Sequence, residues 1–469
     1  MIRSINPATG ELIRDFQPDS PETVEQKLGL AVEAFRAHSQ TSFAQRAAWL
    51  EQAAALLETE KLNHARLMAL EMGKTVKSAA QELEKCASAC RFYARKGESL
   101  LADETVDLGD QAGESQSSVR IKFQPIGPVL AIMPWNFPFW QVFRFAAPAL
   151  AAGNVGLLKH ASNVPQCAVA IESLLRRAGF PQGCFTTLLL ESDRVGKLIR
   201  DARVRAVTLT GSVAAGKSVA GIAGSCLKKT VLELGGSDPF IVMPSANLEA
   251  AVECAVQSRI INNGQSCIAA KRFIIDRSVY SRFQQLFVRR MASLRIGDPM
   301  DEKTELGPLA TAQVRDDLAA QVEETVRRGA RLLMGGNPLA GPGFYYEPTV
   351  LAEIPPGSPA HLDELFGPVA SLFECRAIEE AVRMANDSPF GLGAALWSSR
   401  QDDIDYFIQH VESGLAFVNG MVASDPRAPF GGVKDSGYGR ELGAFGMREF
   451  LNIKTVVVRA SPPVQSRSE

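Results

Sequence analysis

The chain has 469 residues, of which 46% are hydrophobic and 22% charged, and its formal net charge is −2. That is ordinary globular composition, sized for two to three domains at about 150 residues each, and it excludes a disordered chain, a collagen-like repeat and a small disulfide scaffold. Lys+Arg is 50 against 52 Asp+Glu, so the basic excess on which a broad nucleic-acid footprint depends is absent, and no nucleic-acid partner is expected.

The first sixteen residues, MIRSINPATGELIRDF, are charged early and carry no apolar signal core, which reads as a cytoplasmic protein. Apolar residues at helical spacing predict helices over Thr23–Ala37, Phe43–Leu57 and Leu83–Ala94. Residues 101–119 are polar with two glycines and read as a connector or an edge segment. From residue 128 the rhythm changes. Buried strands are predicted at Val129–Met133, Val155–Lys159, Thr186–Leu190, Ala206–Thr210 and Val231–Leu234, with helices at Phe139–Ala152, Pro165–Ala178, Arg194–Arg200 and Ala214–Ala223 between them. Such alternation is the pattern of a parallel sheet with crossover helices, whose ligands bind beyond the carboxyl ends of the strands. The apolar stretch 137–158 is broken by Arg144, Pro148, Gly153 and Asn154, so it reads as core and not as a membrane span.

A second alternating block follows Pro239. Strands are predicted at Phe240–Met243, Arg272–Ile275, Val369–Cys375, Ala394–Trp397 and Leu415–Asn419. Helices are predicted at Leu248–Asn262, Ser278–Ser293, Thr311–Arg328, Ile378–Ala385 and Gln401–Gln409. The eight cysteines form no CxxC pair and the five histidines no HExxH, so no metal site is expected.

Residues 211–218, GSVAAGKS, match the literal P-loop pattern GxxxxGK[ST] after a plausible strand. An NTPase also needs a strand ending in an acid to hold Mg²⁺, and the candidate Asp276 lies in the second block at an ordinary strand end. The same Gly211, Ser212 and Gly216 have another use: they open a helix whose first N–H groups can face a pyrophosphate. No GxGxxG is present.

Polar residues gather at the strand ends. Pro134-Trp135-Asn136-Phe137-Pro138 follows the first strand and Lys159 ends the second. Gly211-Ser212 and Glu233-Leu234-Gly235-Gly236 follow later strands. Asn263-Gly264-Gln265-Ser266-Cys267 ends a helix, and Glu364-Leu365-Phe366-Gly367-Pro368 precedes a strand. These types fit one reaction: a thiolate nucleophile, a carboxamide to hold an oxyanion and a glutamate to deprotonate water. The other seven cysteines read as small buried hydrophobes.

PWNFP, LELGG, NxGQxC and ExFGP, in this order, resemble the aldehyde dehydrogenase superfamily. The likeness runs from Asn6 to Gly437. Ser237-Asp238-Pro239-Phe240, Asn419-Gly420 and GGVKxSGxGRE are similar to its succinate-semialdehyde dehydrogenases. The resemblance implies an α/β protein: a Rossmann-type cofactor domain (1–106 and 126–235, with 438–450), an α/β catalytic domain (236–437) and a small β oligomerisation arm (107–125 and 451–469). It implies a homodimer or homotetramer. Cys267 would attack a small-molecule aldehyde to give a thiohemiacetal, with the oxyanion held by the Asn136 side chain and the Cys267 N–H. Hydride loss would leave a thioester, and Glu233 would activate water to release the acid. Lys159 and Glu364 would hold the two cofactor riboses, while Phe366 and Trp135 would line the cofactor cleft.

Many NAD-dependent members carry a glutamate three residues after the lysine, where this chain has Ser162. Serine leaves room for a 2′-phosphate and offers it a hydrogen bond, so NADP is expected to be accepted and favoured over NAD. His160 reads as a spacer. A carboxylated aldehyde needs a cation, and Arg144 lies eight residues after Asn136, close to two helical turns, among aromatic residues. Succinate-semialdehyde dehydrogenases have an arginine at this place, and Ser424 matches a serine used for the same carboxylate. A second arginine, six residues before the nucleophile in some members, is Ile261 here, and whether Arg259 replaces it is open. The expectation is oxidation of succinate semialdehyde, with another or a broad aldehyde range as the alternative. A CoA-acylating reaction is disfavoured by the glutamate of LELGG, and a non-catalytic role by the presence of Cys267 and Asn136.

Overall fold

The computed structural model describes residues 1–107 and 117–459. Two short strands, Ile2–Ile5 and Leu12–Phe16, open the chain as an antiparallel hairpin that the hydrophobic pattern passes over, because Leu12–Phe16 buries no residue. Four helices follow: Pro21–His38, Phe43–Thr59, Lys61–Met72 and Val76–Leu100. Ser20, Ser42 and Thr75 each accept an N–H from the residue three positions on, which fixes three of the helix starts. The third helix is unexpected, although Ala65, Met68, Ala69 and Met72 bury one stripe of it. The fourth runs well beyond the predicted Leu83–Ala94 at both ends.

These helices pack on a six-stranded sheet in the order Gly437–Tyr438, Lys229–Glu233, Ala206–Thr210, Pro128–Met133, Val155–His160, Phe185–Thr187. All neighbours are parallel except the Gly437–Tyr438 edge. The strand predicted at Thr186–Leu190 is shorter and shifted, and the strand predicted to end at Lys159 runs one residue further, to His160. Helices cover both faces, which is why the central strands are continuous apolar runs. The helix Trp140–Ala151 is buried along its whole length.

A second sheet has seven strands: Arg331–Met334, Thr349–Ala352, Val369–Cys375, Ala270–Asp276, Asp238–Val242, Gly393–Trp397, Leu415–Val418. It is parallel apart from its first pair. A third, antiparallel sheet joins Leu451–Arg459, Ser117–Pro125 and Glu104–Val106. The remainder of the expected arm, 108–116 and 460–469, lies outside the described residues. Leu451–Arg459 is an edge strand that exposes Ile453, Val457 and Val458. No helix among the described residues is long and apolar enough to cross a membrane.

One buried ion pair ties the helical layer to the first sheet. Lys74 and Glu82 are both almost wholly excluded from solvent and bonded to each other. Glu82 Oε1 accepts the N–H groups of Phe139 and Trp140, each at 2.8 Å, and so caps the helix that follows PWNFP. Lys74 Nζ donates to the Asn136 carbonyl at 3.3 Å and stands 4.2 Å from the Phe137 ring centroid. His160 braces the same loop from the other side: its Nε2 bonds the Pro138 carbonyl at 2.9 Å, while its Nδ1 accepts the Ala161 N–H. Burial pushes its pKa down to about 4, so the ring is neutral. Removing one member of a buried pair strands the other charge, at a cost of about 3–5 kcal/mol. Lys74→Met is therefore expected to lower the calorimetric Tm by several degrees; an unchanged Tm would show that the pair does not hold this loop.

Candidate active site

Cys267 is presented by a turn with unusual backbone. After the helix Leu248–Ile260, Asn262, Asn263 and Gly264 are all left-handed, with φ of 56°, 57° and 78°. Asparagine tolerates this region because its short amide bonds locally, and here each amide is used. Asn262 Nδ2 donates to the carbonyls of Asn136 (2.6 Å) and Gln265 (3.0 Å). Asn263 Nδ2 donates to Gly73 and Pro308 carbonyls, and its Oδ1 accepts the Gly307 N–H. Gly264 has no room for a Cβ, which would collide with the Gly367 backbone. Lys271 Nζ then bonds the carbonyls of Ser266 (2.8 Å) and Cys267 (2.9 Å) and ion-pairs with Glu364 at 3.1 Å. Glu364 also accepts the Gly236 N–H. Motifs far apart in sequence thus lock one turn.

Two clefts, each with about 720 Å³ of empty volume, meet at Cys267, the one residue among those described that lines both. The first is walled by Trp135, Asn136, Thr210, Gly211, Ser212, Cys267, Glu364 and Phe366, among others. The rings of Trp135 and Phe366 stand edge to face, 5.7 Å apart. Ser212 caps the helix Val213–Ser225, accepting the Ala215 N–H, so the helix start faces this cleft. Asn136 is buried; its Nδ2 donates to the Gln265 carbonyl and its Oδ1 accepts the Phe137 N–H.

Some expected residues stand back from the cleft walls. Glu233 is 2% exposed and lines neither cleft. Neither of its carboxylate oxygens has a hydrogen-bond partner among the described residues. Burial pushes its pKa well up, opposed by Arg144. Lys159 is buried with no partner among the described residues, and desolvation lowers its pKa. Ser162 is exposed just beyond the same strand. Gly216 packs against Leu234, where a Cβ would come within 2.6 Å of a methyl carbon. The P-loop reading fails here. Lys217 sits on the second turn of its helix and pairs with Asp435 at 3.2 Å, while Asp276 caps a helix start in the other sheet. No group of three or more His, Cys, Asp or Glu suited to a metal occurs among the described residues.

The second cleft is walled by Phe137, Trp140, Arg144, Ile261, Cys267, Val422, Ser424 and Phe430, with others. Arg144 is 2% exposed and ion-paired with Glu441. Its Nη2 also donates to Thr210 Oγ1 at 3.2 Å. Arg259 does not stand in for an arginine at Ile261: it is fully buried elsewhere, donating to the Val369 and Gly264 carbonyls. The sequence reading missed Lys85, whose Nζ bonds Ser424 Oγ at 2.6 Å on this wall. Ser78, Glu82 and Lys85 recur at helical spacing and line the cleft together, so a wheel of that helix points to it.

The fold and this site define a dehydrogenase of aldehydes. The profile of the aldehyde dehydrogenase family matches residues 1–456, and the chain belongs to that family. It is 53% identical to a "Succinate-semialdehyde dehydrogenase [NADP(+)]" of Mycobacterium avium (strain 104), over 98% of this chain and 97% of that one. It is equally close to "Succinate-semialdehyde dehydrogenase [NADP(+)] 1" of Mycobacterium tuberculosis (strain ATCC 25618 / H37Rv), over 97% and 99%. The crystal structure of succinic semialdehyde dehydrogenase from Streptococcus pyogenes with NADP+ superimposes at a TM-score of 0.94, with 35% identity over 97% of this chain and 99% of that one.

Burial pushes the Cys267 thiol up to about 12, with Arg144 pulling the other way. Below that pKa the thiolate fraction rises tenfold per pH unit. Iodoacetamide is therefore expected to alkylate Cys267 of the cofactor-free protein slowly at neutral pH, about tenfold faster with each unit between pH 7 and 9. A rate already level at pH 7, followed by mass spectrometry of the Cys267 peptide, would show an ionised resting thiol.

Proposed function

We propose that the protein oxidises succinate semialdehyde to succinate with NADP, through a cysteine-bound thioester. The observation that carries this reading is the meeting of the two clefts at Cys267, one walled by a helix start and aromatic rings, the other apolar with cations on its wall. Near-complete coverage by relatives named for that substrate and cofactor supports it.

The chain's residues suit the cofactor. The Val213–Ser225 helix start, with Gly211 and Ser212, offers free N–H groups to a pyrophosphate. Lys159 is a buried cation without an acceptor among the described residues, suited to ribose hydroxyls. Ser162, exposed just beyond the Lys159 strand, would leave room for a 2′-phosphate, Glu364 would hold the other ribose, and Trp135 and Phe366 would line the nicotinamide end of the cleft. When bound, NADP supplies the hydride acceptor.

The protein's own groups do the rest. The Cys267 sulfur adds to the aldehyde carbon, and its proton leaves. Asn136 Nδ2 and the Cys267 N–H hold the oxyanion. Loss of hydride from the thiohemiacetal carbon gives the thioester. Glu233 takes a proton from water, whose oxygen attacks the thioester and expels the Cys267 thiolate. Burial without a polar partner among the described residues raises the Glu233 pKa and favours its neutral form, so its base role requires a turn toward the cleft. Arg144 and Ser424 lie on the wall where a substrate carboxylate ends. We assign residues 1–106, 126–235 and 438–450 to cofactor binding, 236–437 to catalysis, and 107–125 with 451–469 to an arm pairing copies into a dimer or tetramer. Ile453, Val457 and Val458, exposed on the edge strand, favour that pairing. We place the enzyme in the cytoplasm.

The test is NADPH formation with succinate semialdehyde and with propanal, for the wild type, Cys267→Ala and Ser162→Glu. Cys267→Ala is expected to be inactive, with the wild type preferring the carboxylated aldehyde. Ser162→Glu is expected to weaken NADP at least tenfold while sparing NAD, because a carboxylate repels the 2′-phosphate. Equal use of propanal would remove the substrate assignment; an unchanged cofactor ratio in Ser162→Glu would remove that of Ser162.

A further inference from the structure

Two cations line the cavity beside Cys267, and they are in different electrical states. Arg144 is compensated: Glu441 ion-pairs with it, Thr210 accepts from it, and its guanidinium lies 4.5 Å from the Phe430 ring centroid. Lys85 is not. Its Nζ donates to the neutral Ser424 hydroxyl at 2.6 Å and stands 4.5 Å from the Trp140 ring centroid, and it has no ion pair among the described residues. The acids nearby are engaged elsewhere. Glu82 is bonded to Lys74 and two amides, Glu84 to Lys61, and Asp425 to Arg427 at 2.6 Å.

We propose that Lys85 is the specificity-determining residue for a carboxylated aldehyde: its ammonium receives the substrate's terminal carboxylate, with the Ser424 hydroxyl as second donor. This rests on the assignment of a carboxylated aldehyde to the site. Because Lys85 donates to Ser424 Oγ, the serine hydrogen is left to point at an anion, so both groups converge on one acceptor. The wall around them is apolar, with Phe137, Trp140, Ile261, Val422 and Phe430, which suits a short methylene chain and makes the single uncompensated charge selective. Lys85 supplies a cation in the cavity of a chain whose residue 261 is isoleucine and whose Arg259 is turned away. Partial burial, aided by Arg144, lowers the Lys85 pKa to about 8, so it is charged at neutral pH and loses that charge above 8. The charged and titratable groups facing it are Arg144 on the helix Trp140–Ala151, Asp425 on the loop that carries Ser424, and Glu82 and Cys86 on its own helix.

The experiment compares succinate semialdehyde with butanal, its uncharged four-carbon counterpart, at saturating NADP, for the wild type, Lys85→Met and Lys85→Arg. Lys85→Met is expected to raise KM for succinate semialdehyde about tenfold or more, the effect of one charge-assisted hydrogen bond. Its KM for butanal and both kcat values should stay within about twofold, which reports an intact fold. Lys85→Arg is expected to restore most of the affinity. The wild-type ratio of the two KM values should rise above pH 8 and stay flat in Lys85→Arg. An equal change for both aldehydes, no change for succinate semialdehyde, or a flat wild-type ratio to pH 9.5 would overturn the proposal. If the wild type itself does not favour succinate semialdehyde, the carboxylated-substrate assignment fails and takes this one with it; if it does and the preference survives Lys85→Met, only the role of Lys85 fails.

Discussion

The site depends on one backbone constraint, the left-handed run from Asn262 to Gly264. Left-handed residues are costly outside glycine, and three in succession persist only if the surroundings fix them. Here the surroundings come from all parts of the chain. Asn262 holds the Asn136 carbonyl, Asn263 holds Gly73, Gly307 and Pro308, and Gln265 Oε1 accepts the Ala310 N–H. Lys271 closes the turn on its far side and hands its charge to Glu364. The Asn136 loop is held in turn by Lys74, Glu82 and His160. Nucleophile and carboxamide donor are thus fixed to each other through main-chain atoms, which suits a transition state needing donors in place before charge develops.

The buried charges around this turn divide into two groups. Lys74 with Glu82, Lys271 with Glu364, and Arg144 with Glu441 are compensated within the protein. Glu233, Lys159 and Lys85 have no ionic partner among the described residues. An isolated buried charge is expensive unless something pairs with it or it gives up its ionisation. All three respond in that direction: the Glu233 pKa rises and both lysine pKa values fall. Each also has a counterpart in the proposed reaction, namely a water proton, a cofactor hydroxyl and a substrate carboxylate. The compensated pairs hold the turn and the cleft walls together, and the three uncompensated groups are the ones whose charge a ligand would balance in the proposed reaction.

Much of this was legible in the sequence because the signals are local. Strand–helix alternation located both parallel sheets, the runs after the strands located Trp135, Asn136, Gly211 and Ser212, and the motifs at a helix end and before a strand located Cys267 and Glu364, which share one cleft with them. What the sequence hid is pairwise and distant. Nothing near Arg144 announces Glu441 as its partner, and nothing near Glu364 announces Lys271. Lys85 reads as one more polar residue on a helix until the Ser424 loop closes over it. Literal motif matching erred in the opposite way. GxxxxGKS has the spacing of a phosphate loop, but the chain enters its helix at Val213, and by Lys217 the side chain has turned to Asp435.

Among the described residues the two clefts share Cys267 and no other wall residue. In the proposed reaction, aldehyde and cofactor would therefore meet separate sets of side chains on either side of one sulfur. Substitutions at distant sites without common partners act nearly additively. On the proposed assignment, a change at Ser162, outside both clefts, would act on cofactor choice and a change at Ser424 on aldehyde choice, each without disturbing the other. The turn is what makes this separation possible: its hydrogen bonds to Asn136, Gly73, Gly307 and Pro308 fix Cys267 independently of the side chains that line either cleft.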